Sequence, residues 1–264
     1  MARVCSTAWR GKYRWPANHV DHRGRRGLVV RLEIPNTVKI ILFGATGMVG
    51  AGVLNECLRD DRVSDILLVS RSSSGRSHPK LREHLRSDFV DYRDAREAFR
   101  GADACFFCLG VTAVGKTEED YSHLTYDITV GAARMLSDVN PGMAFCYVSG
   151  QGTDSTERGR VMWARVKGKT ENELLRLPLR AYMFRPGYIQ PLGGIKSKTR
   201  VYRVFYQIMA PIYPVLRRLT PNLVTTNETV GRAMIEVAAR GYSARILEVK
   251  DINNAGSMGT RVPG

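Results

Sequence analysis

The sequence predicts an α/β fold, a doubly wound parallel sheet with a small C-terminal substrate lobe. Three observations carry this prediction. From residue 37 onward, short continuously apolar runs alternate with segments of helical period. That is the pattern of strands buried on both faces by crossover helices. A glycine-rich turn directly follows the first apolar run. After Pro186 the alternation breaks up, interrupted by Pro191, Pro211, Pro214 and Pro221.

The elements follow in order. Val38-Lys39-Ile40-Ile41-Leu42-Phe43 is the first strand. Residues 48–58 place Val49, Val53, Leu54, Cys57 and Leu58 on one helical face. Residues 65–70, around Ile66-Leu67-Leu68-Val69, form a second strand, and Asp88-Phe89-Val90-Asp91 a third. A short helix over 94–99 leads to a fourth strand, 105–109. Residues 117–139 are helical, 144–149 a fifth strand, 161–175 helical and 180–184 a sixth strand. The lobe starts near residue 187 and holds a short helix at 230–238 and a last strand at 246–249. Within it, residues 199–219 are rich in apolar and aromatic side chains flanked by Arg200, Arg203, Arg217 and Arg218. They read as a lid packed over the sheet, with peripheral membrane contact as the alternative.

Residues 1–36 stand apart from the α/β body, which runs from 37 to 264. They hold eight Lys/Arg and two acids, without hydrophobic periodicity or the apolar core of a signal peptide. A disordered basic extension, or translated sequence upstream of a start near Leu32, is expected. They are Arg-rich like a mitochondrial transit peptide, but poor in Ser.

Composition narrows the function. Hydrophobic residues are 44% and charged residues 25% of 264, which excludes a wholly disordered chain, collagen and a disulfide scaffold. No apolar stretch reaches the ~20 residues of a membrane-spanning helix. The net charge of +15 suits an anionic ligand or surface. The body has no compact Lys/Arg run interleaved with aromatics, which weighs against nucleic acid. Five cysteines, an odd count with four in apolar stretches, suit reduced thiols in the cytoplasm. Cys105 and Cys108 form C-x-x-C, but within a strand they face opposite sides. Core packing is expected there, with neither redox nor metal chemistry. No metal site is expected anywhere, and nothing in the sequence fixes an oligomeric state.

Gly44-Ala45-Thr46-Gly47-Met48-Val49-Gly50 lies between the first strand and the first helix. This is the strand–turn–helix setting of a Rossmann dinucleotide site. The first glycine permits the tight turn, the second lets backbone approach a pyrophosphate, and the third lets helix pack on strand. Free N–H groups and the helix dipole then hold the anion. Cofactor choice is read at the end of the second strand, where NAD-selective sites place an acid. Here Val69-Ser70-Arg71-Ser72 carries none. Ser70 can donate to a 2′-phosphate and Arg71 can pair with it, with Arg76 within reach from the loop. NADP(H) is therefore expected, with NAD as the alternative.

Four segments carry a resemblance to a known family: Gly44 to Gly50, Cys108-Leu109-Gly110-Val111-Thr112, Tyr147-Val148-Ser149 and Val166-Lys167-Gly168-Lys169-Thr170-Glu171, with Phe184-Arg185-Pro186-Gly187 in support. They resemble the atypical and extended short-chain dehydrogenase/reductases, including the epimerase/dehydratase-like enzymes and the branch of Tat-interacting-protein-like oxidoreductases. The likeness covers most of 38–190. It implies that Leu109, Gly110 and Val111 line the cofactor and that Pro186 and Gly187 lie beside the nicotinamide. It also implies a catalytic Tyr-x-x-x-Lys pair with an upstream Ser. The tyrosine exchanges a proton with the substrate oxygen, the lysine lowers its pKa and binds ribose, and the serine positions the oxygen. Ser149 and Lys167 occupy two of these places. The third holds Trp163, whose indole N–H donates a hydrogen bond but no proton near neutral pH. Tyr188 is the candidate substitute; Tyr121 and Tyr147 are weaker ones.

Two functions from different classes follow. One is an oxidoreductase acting on a small carbonyl or hydroxyl compound. The other is a catalytically silent dinucleotide-binding redox sensor or scaffold, which Trp163 favours. A membrane-associated isomerase or dehydratase that recycles bound NAD(P) is a third, weaker class.

Overall fold

The fold rests on nine strands in chain order: β1 Val38–Phe43, β2 Val63–Ser70, β3 Leu81–Leu85, β4 Ala104–Phe107, β5 Ala144–Val148, β6 Arg180–Arg185, β7 Tyr188–Gln190, β8 Val224–Thr226 and β9 Ile246–Glu248. They come from a computed structural model that describes residues 37–195, 213, 218–220 and 222–258. Seven strands form one sheet in the order β3-β2-β1-β4-β5-β6-β9, every neighbouring pair parallel. β7 and β8 pair separately, also in parallel. The helices are α1 Met48–Arg59, α2 Arg96–Phe99, α3 Glu118–Ser122, α4 Ile128–Val139, α5 Met162–Arg176, α6 Asn227–Arg240 and α7 Val249–Met258.

Alternation of side chains along β1 explains why its run from Ile40 to Phe43 is continuously apolar. Ile40 and Leu42 join one core with Val53 and Leu54 of α1 and Met234 of α6. Ile41 and Phe43 join the opposite core with Phe99 of α2 and Leu136 of α4. Both faces are thus buried, as a parallel sheet requires. The order 3-2-1-4-5-6 reverses direction between β1 and β4. That reversal opens a crevice at the carboxyl ends of the two strands, the usual ligand position in open α/β sheets.

The third strand is not where the apolar pattern put it. β3 is Leu-Arg-Glu-His-Leu, an edge strand whose side chains are half-buried or exposed. Residues 88–91 instead make a turn. The Asp88 carboxylate accepts the N–H groups of Val90 at 2.7 Å and Asp91 at 3.2 Å. The buried Arg86 guanidinium takes the carbonyls of Asp88 and Asp91 and lies 4.4 Å from the Tyr92 ring centre. Those backbone groups are spent locally and cannot join a ladder.

Other departures are smaller. The helical stretch after β4 is interrupted by a π segment at His123–Asp127. α6 starts three residues earlier than expected because the Thr226 hydroxyl accepts the Thr229 N–H at 3.0 Å. The β7–β8 strands are three residues each, too short to announce themselves. α7 was not expected, although Val249, Ile252 and Ala255 form its buried face at helical spacing, because the expected last strand includes Val249. Cys105 and Cys108 pack against opposite cores, the C-x-x-C spacing acting as expected of a strand. Burial pushes the Cys108 thiol up to about 12. The expected basic extension at 1–36 lies outside the described residues, as does nearly all of the expected lid or membrane element at 199–219. No helix among the described residues is long and apolar enough to cross a membrane.

Candidate functional site

The glycine turn is shaped by close backbone approaches. Gly44 has φ +79°, and a Cβ there would lie 2.6 Å from the Cys108 carbonyl group and the Leu109 nitrogen. The turn after β1 therefore presses directly on the turn after β4, across the point where strand order reverses. A Cβ on Gly50 would lie 2.2 Å from the Gly44 oxygen, so α1 sits as close to its strand as backbone allows. Gly47 donates to the Gly44 oxygen at 2.9 Å and caps α1 without a side chain. The first turn of α1 carries no acid. Its N–H groups, from Met48, Val49 and Gly50, have no partner within the helix. Thr46 and Gly47 are exposed beside them. Backbone donors, a positive helix end and no side chain in the way fit a pyrophosphate.

At the end of β2, Ser70 is buried and its hydroxyl donates to the Ser72 carbonyl at 2.7 Å. Its donor is thus engaged within the loop rather than free for the expected 2′-phosphate. Arg71 is exposed, and its guanidinium has no partner among the described residues. Arg76 instead donates to Asn55 on α1, away from the strand end. The nearby carboxylate of Glu83 accepts the Ser74 N–H at 2.8 Å and the Ser74 hydroxyl, bonds that hold it below the usual carboxylate range.

The ends of β5 and β6 bring the remaining residues together. The Ser149 N–H and hydroxyl both donate to the Phe184 carbonyl, at 2.9 and 3.1 Å. Lys167 on α5 is half-buried and donates from Nζ to the Ser149 carbonyl. Burial lowers its ammonium to about 8 against the opposing pull of Glu171. Trp163, one turn earlier, packs on the same loop; a Cβ on Gly152 would lie 3.6 Å from its Cη2. Ser149, Trp163 and Lys167 thus converge on residues 149–152. The loop reaches β6 as well, since the Gln151 N–H donates to the Pro186 carbonyl at 2.9 Å. A Cβ on Gly187 would meet the Leu223 oxygen at 2.5 Å and the Gln151 Oε1 at 2.6 Å. Leu109 is half-buried, Gly110 and Val111 are exposed, and a Cβ on Gly110 would meet open space.

The tyrosines are placed less directly. Tyr188 lies on β7, and its hydroxyl donates to Gln190 Oε1 at 2.7 Å. Tyr121 and Tyr147 are fully buried, and burial raises the Tyr147 phenol well above its usual range. Among the described residues, no group of three His, Cys, Asp or Glu is placed to hold a metal.

Gln151 and Leu223 had not stood out in the sequence, nor had the pairing of Glu171 with Arg185, two residues noted there only as parts of separate motifs. Arg185 Nε donates to Glu171 Oε1 at 3.1 Å, and its Nη2 pairs with Oε2. The same guanidinium donates to Ser155 Oγ at 2.6 Å and pairs with Glu248 at 3.4 Å. One side chain so ties α5, β6, the loop after β5 and β9. The available signal was the four-residue step from Lys167 to Glu171, which puts both on one helical face. The Glu171 side chain is 0% exposed and that of Arg185 11%. Glu171→Gln should leave the Arg185 cation with only the half-exposed Glu248 carboxylate and cost about 2–4 kcal/mol in urea unfolding. Unchanged stability would mean the pair holds nothing.

No protein-family model matches the chain. Among curated proteins, it is 29% identical over 141 residues to Leucinostatins biosynthesis cluster protein T of Purpureocillium lilacinum, covering 52% of this chain and 51% of that one. It is 23% identical over 219 residues to Protein fmp52, mitochondrial, of Emericella nidulans, covering 78% and 90%. To Protein HTATIP2 of Rattus norvegicus it is 25% identical over 154 residues, covering 57% and 62%. The match therefore spans about half the length of the first relative and under two thirds of the third. Among solved structures, UDP-N-acetylglucosamine 4-epimerase from Methanobrevibacter ruminantium M1 superposes with TM-score 0.58 at 13% identity, covering 83% of this chain and 80% of that one. The Bordetella bronchiseptica enzyme WbmF, in complex with NAD+, gives 0.58 at 14%, covering 84% and 77%. Such identities show the fold alone. The chain is thus a Rossmann α/β protein similar in structure to the epimerase/dehydratase and short-chain dehydrogenase/reductase enzymes, with sequence relatives that fit the atypical branch of that superfamily.

Proposed function

We propose that the chain is an NADP(H)-dependent oxidoreductase acting on a small carbonyl or hydroxyl compound. The observation that carries this reading is the bond from Lys167 to the Ser149 carbonyl, at the same sheet edge as the glycine turn. In this reading Gly44, Thr46, Gly47, Met48, Val49 and Gly50 hold the pyrophosphate. Ser70 and Arg71 meet the adenosine ribose. Leu109, Gly110, Val111, Pro186 and Gly187 flank the nicotinamide, and Lys167 also reaches its ribose. The dinucleotide, when bound, supplies or accepts the hydride. Ser149 holds the substrate oxygen, its proton turning away from the Phe184 carbonyl to do so. Trp163 closes one wall, and its N–H can donate but not transfer a proton. The Tyr188 hydroxyl is engaged by Gln190, which leaves Lys167 as the titrating group beside Ser149. Four described cysteines are free thiols, which supports a reducing compartment such as the cytoplasm, whereas one relative is named mitochondrial.

Steady-state NADPH oxidation against a carbonyl panel tests the reading. Turnover supports it. Tight nucleotide binding without turnover would favour the silent sensor or scaffold, the reading that Trp163 at the tyrosine position supports.

NADP preference has its own test. An arginine just after β2 that has no partner among the described residues, with no acid in Val69-Ser70-Arg71-Ser72, suits a 2′-phosphate. Arg71→Ala should raise the Kd for NADPH about tenfold or more, by loss of a charge-assisted contact. The Kd for NADH should stay within about twofold. Equal losses for both nucleotides would sink the NADP assignment.

A further inference from the structure

We propose that the Gln151 side chain holds the carboxamide of the nicotinamide ring. This inference rests on the oxidoreductase reading above, in which the nicotinamide lies beside Pro186 and Gly187. It starts from the turn that carries Gln151. The Thr153 N–H donates to the Gly150 carbonyl at 3.2 Å, and the Thr153 hydroxyl donates to the same carbonyl at 2.7 Å. Gly152 has φ +85°, so residues 150–153 make a tight turn with glycine where the backbone must turn left-handed. Gln151 is the corner of that turn, and its own N–H is fixed on the Pro186 carbonyl at 2.9 Å. The side chain is thus launched from held backbone. Gln151 is exposed, yet its Oε1 lies against Gly187, where a Cβ would sit 2.6 Å from it. The Gln151 amide has no hydrogen-bond partner among the described residues.

The neighbouring polar groups are engaged elsewhere. Pro186 has no N–H, and its carbonyl accepts from Gln151. The Tyr188 N–H donates to the Leu223 carbonyl at 3.0 Å. The Tyr188 hydroxyl donates to Gln190 Oε1, and Gln190 Nε2 donates to the Pro191 carbonyl at 3.3 Å. The Ser149 hydroxyl faces the Phe184 carbonyl, and Lys167 the Ser149 carbonyl. A nicotinamide carboxamide carries two N–H donors and a carbonyl acceptor, and leaving them unpaired against protein is unfavourable. A glutamine carboxamide carries the same groups. Its last torsion is broad enough to present oxygen and nitrogen in either order. Two such amides can therefore pair through reciprocal hydrogen bonds. A partner at this point stops the ring from turning about its bond to the ribose, the kind of orientation that hydride transfer needs.

The test is calorimetric titration of the full chain with NADPH and with its reduced 3-acetylpyridine analogue. The methyl ketone of the analogue accepts a hydrogen bond but donates none. The parent protein should bind NADPH about fivefold more tightly than the analogue, the worth of one neutral hydrogen bond. Gln151→Ala should raise the NADPH Kd about tenfold and bring the two ligands within about twofold of each other. Gln151→Glu keeps the length and the acceptor, so it should still prefer NADPH. Both variants should melt with the parent, because residue 151 is exposed. A merely structural role would weaken both ligands alike and leave their ratio unchanged. Equal affinity for the two ligands in the parent, an undiminished preference for NADPH in Gln151→Ala, or loss of that preference in Gln151→Glu would overturn the inference while the oxidoreductase reading stands. Failure of the parent to bind NADPH at all would overturn both.

Discussion

Alanine at position 50 is expected to destabilise the whole domain, whereas alanine at position 47 should spare the fold and remove dinucleotide binding. The two glycines lie three residues apart in one turn, yet their surroundings differ. A Cβ at 50 falls 2.2 Å from the Gly44 oxygen and 2.6 Å from its carbonyl carbon. Neither atom can yield without moving β1 or α1, and Gly44 is itself pinned against Cys108 and Leu109 at 2.6 Å. Overpacking against backbone costs about 3 kcal/mol. For a domain of this size that lowers Tm by roughly 6–12 °C. At position 47 the nearest atom is 3.3 Å away and φ is −83°, which alanine adopts freely. Fold loss there should be about 1 kcal/mol, the usual gap between glycine and alanine at a helix N-cap. The methyl group would project where a pyrophosphate must approach backbone N–H groups. The NADPH Kd should therefore rise about 100-fold, the value of two or three charge-assisted bonds. Thermal melts and fluorescence titration of both variants separate the effects. Unimpaired NADPH binding by Gly47→Ala would remove the turn from the phosphate site.

The same contrast shows why parts of this protein were legible and others were not. β1, β2, β4, β5 and β6 each hold at least four consecutive buried apolar residues, covered on both faces, and announce themselves by that run. β3 is covered less well, and Leu-Arg-Glu-His-Leu carries no apolar run. The apolar pair Phe89-Val90 drew attention instead, although the Asp88 carboxylate and the Arg86 guanidinium had claimed the backbone there. Local side-chain bonds of that kind leave no periodicity in a sequence. Within the site, Gly44 and Gly50 were readable because only glycine tolerates their contacts. Ser149 and Lys167 were readable only through resemblance, since serine and lysine are common residues whose meaning depends on what they face. Gln151 and Leu223 gave no signal at all. They matter through a carboxamide oxygen and a backbone carbonyl that fold back on Gly187, an approach set by the β7–β8 pairing.

Lys167→Arg should preserve nucleotide binding and abolish turnover, and this substitution decides which role the lysine has in a site without the usual tyrosine. Both side chains are cationic and long enough to reach the Ser149 carbonyl, so contact with a ribose and with the loop should survive. They differ in the proton. Burial lowers the Lys167 ammonium from 10.5 to about 8, while an arginine stays protonated throughout the accessible range. If Lys167 gives up the proton that carbonyl reduction consumes, the protonated form is the active one. The rate of reduction in the parent protein should then fall as pH rises through about 8. The reverse oxidation needs the neutral amine and should rise over the same interval. Arginine can do neither, so kcat should drop about 10²–10⁴-fold, the usual worth of a placed acid or base. The NADPH Kd should stay within a few-fold, and the limb near pH 8 should disappear. The opposing pattern is equally clear. If the proton comes from water or from Tyr188, arginine keeps most of the turnover and the pH limb does not follow residue 167. Lys167→Met then completes the comparison. Loss of nucleotide binding in the methionine variant alone, with turnover retained by arginine, would leave the lysine an electrostatic anchor for the ribose and return the proton to another donor.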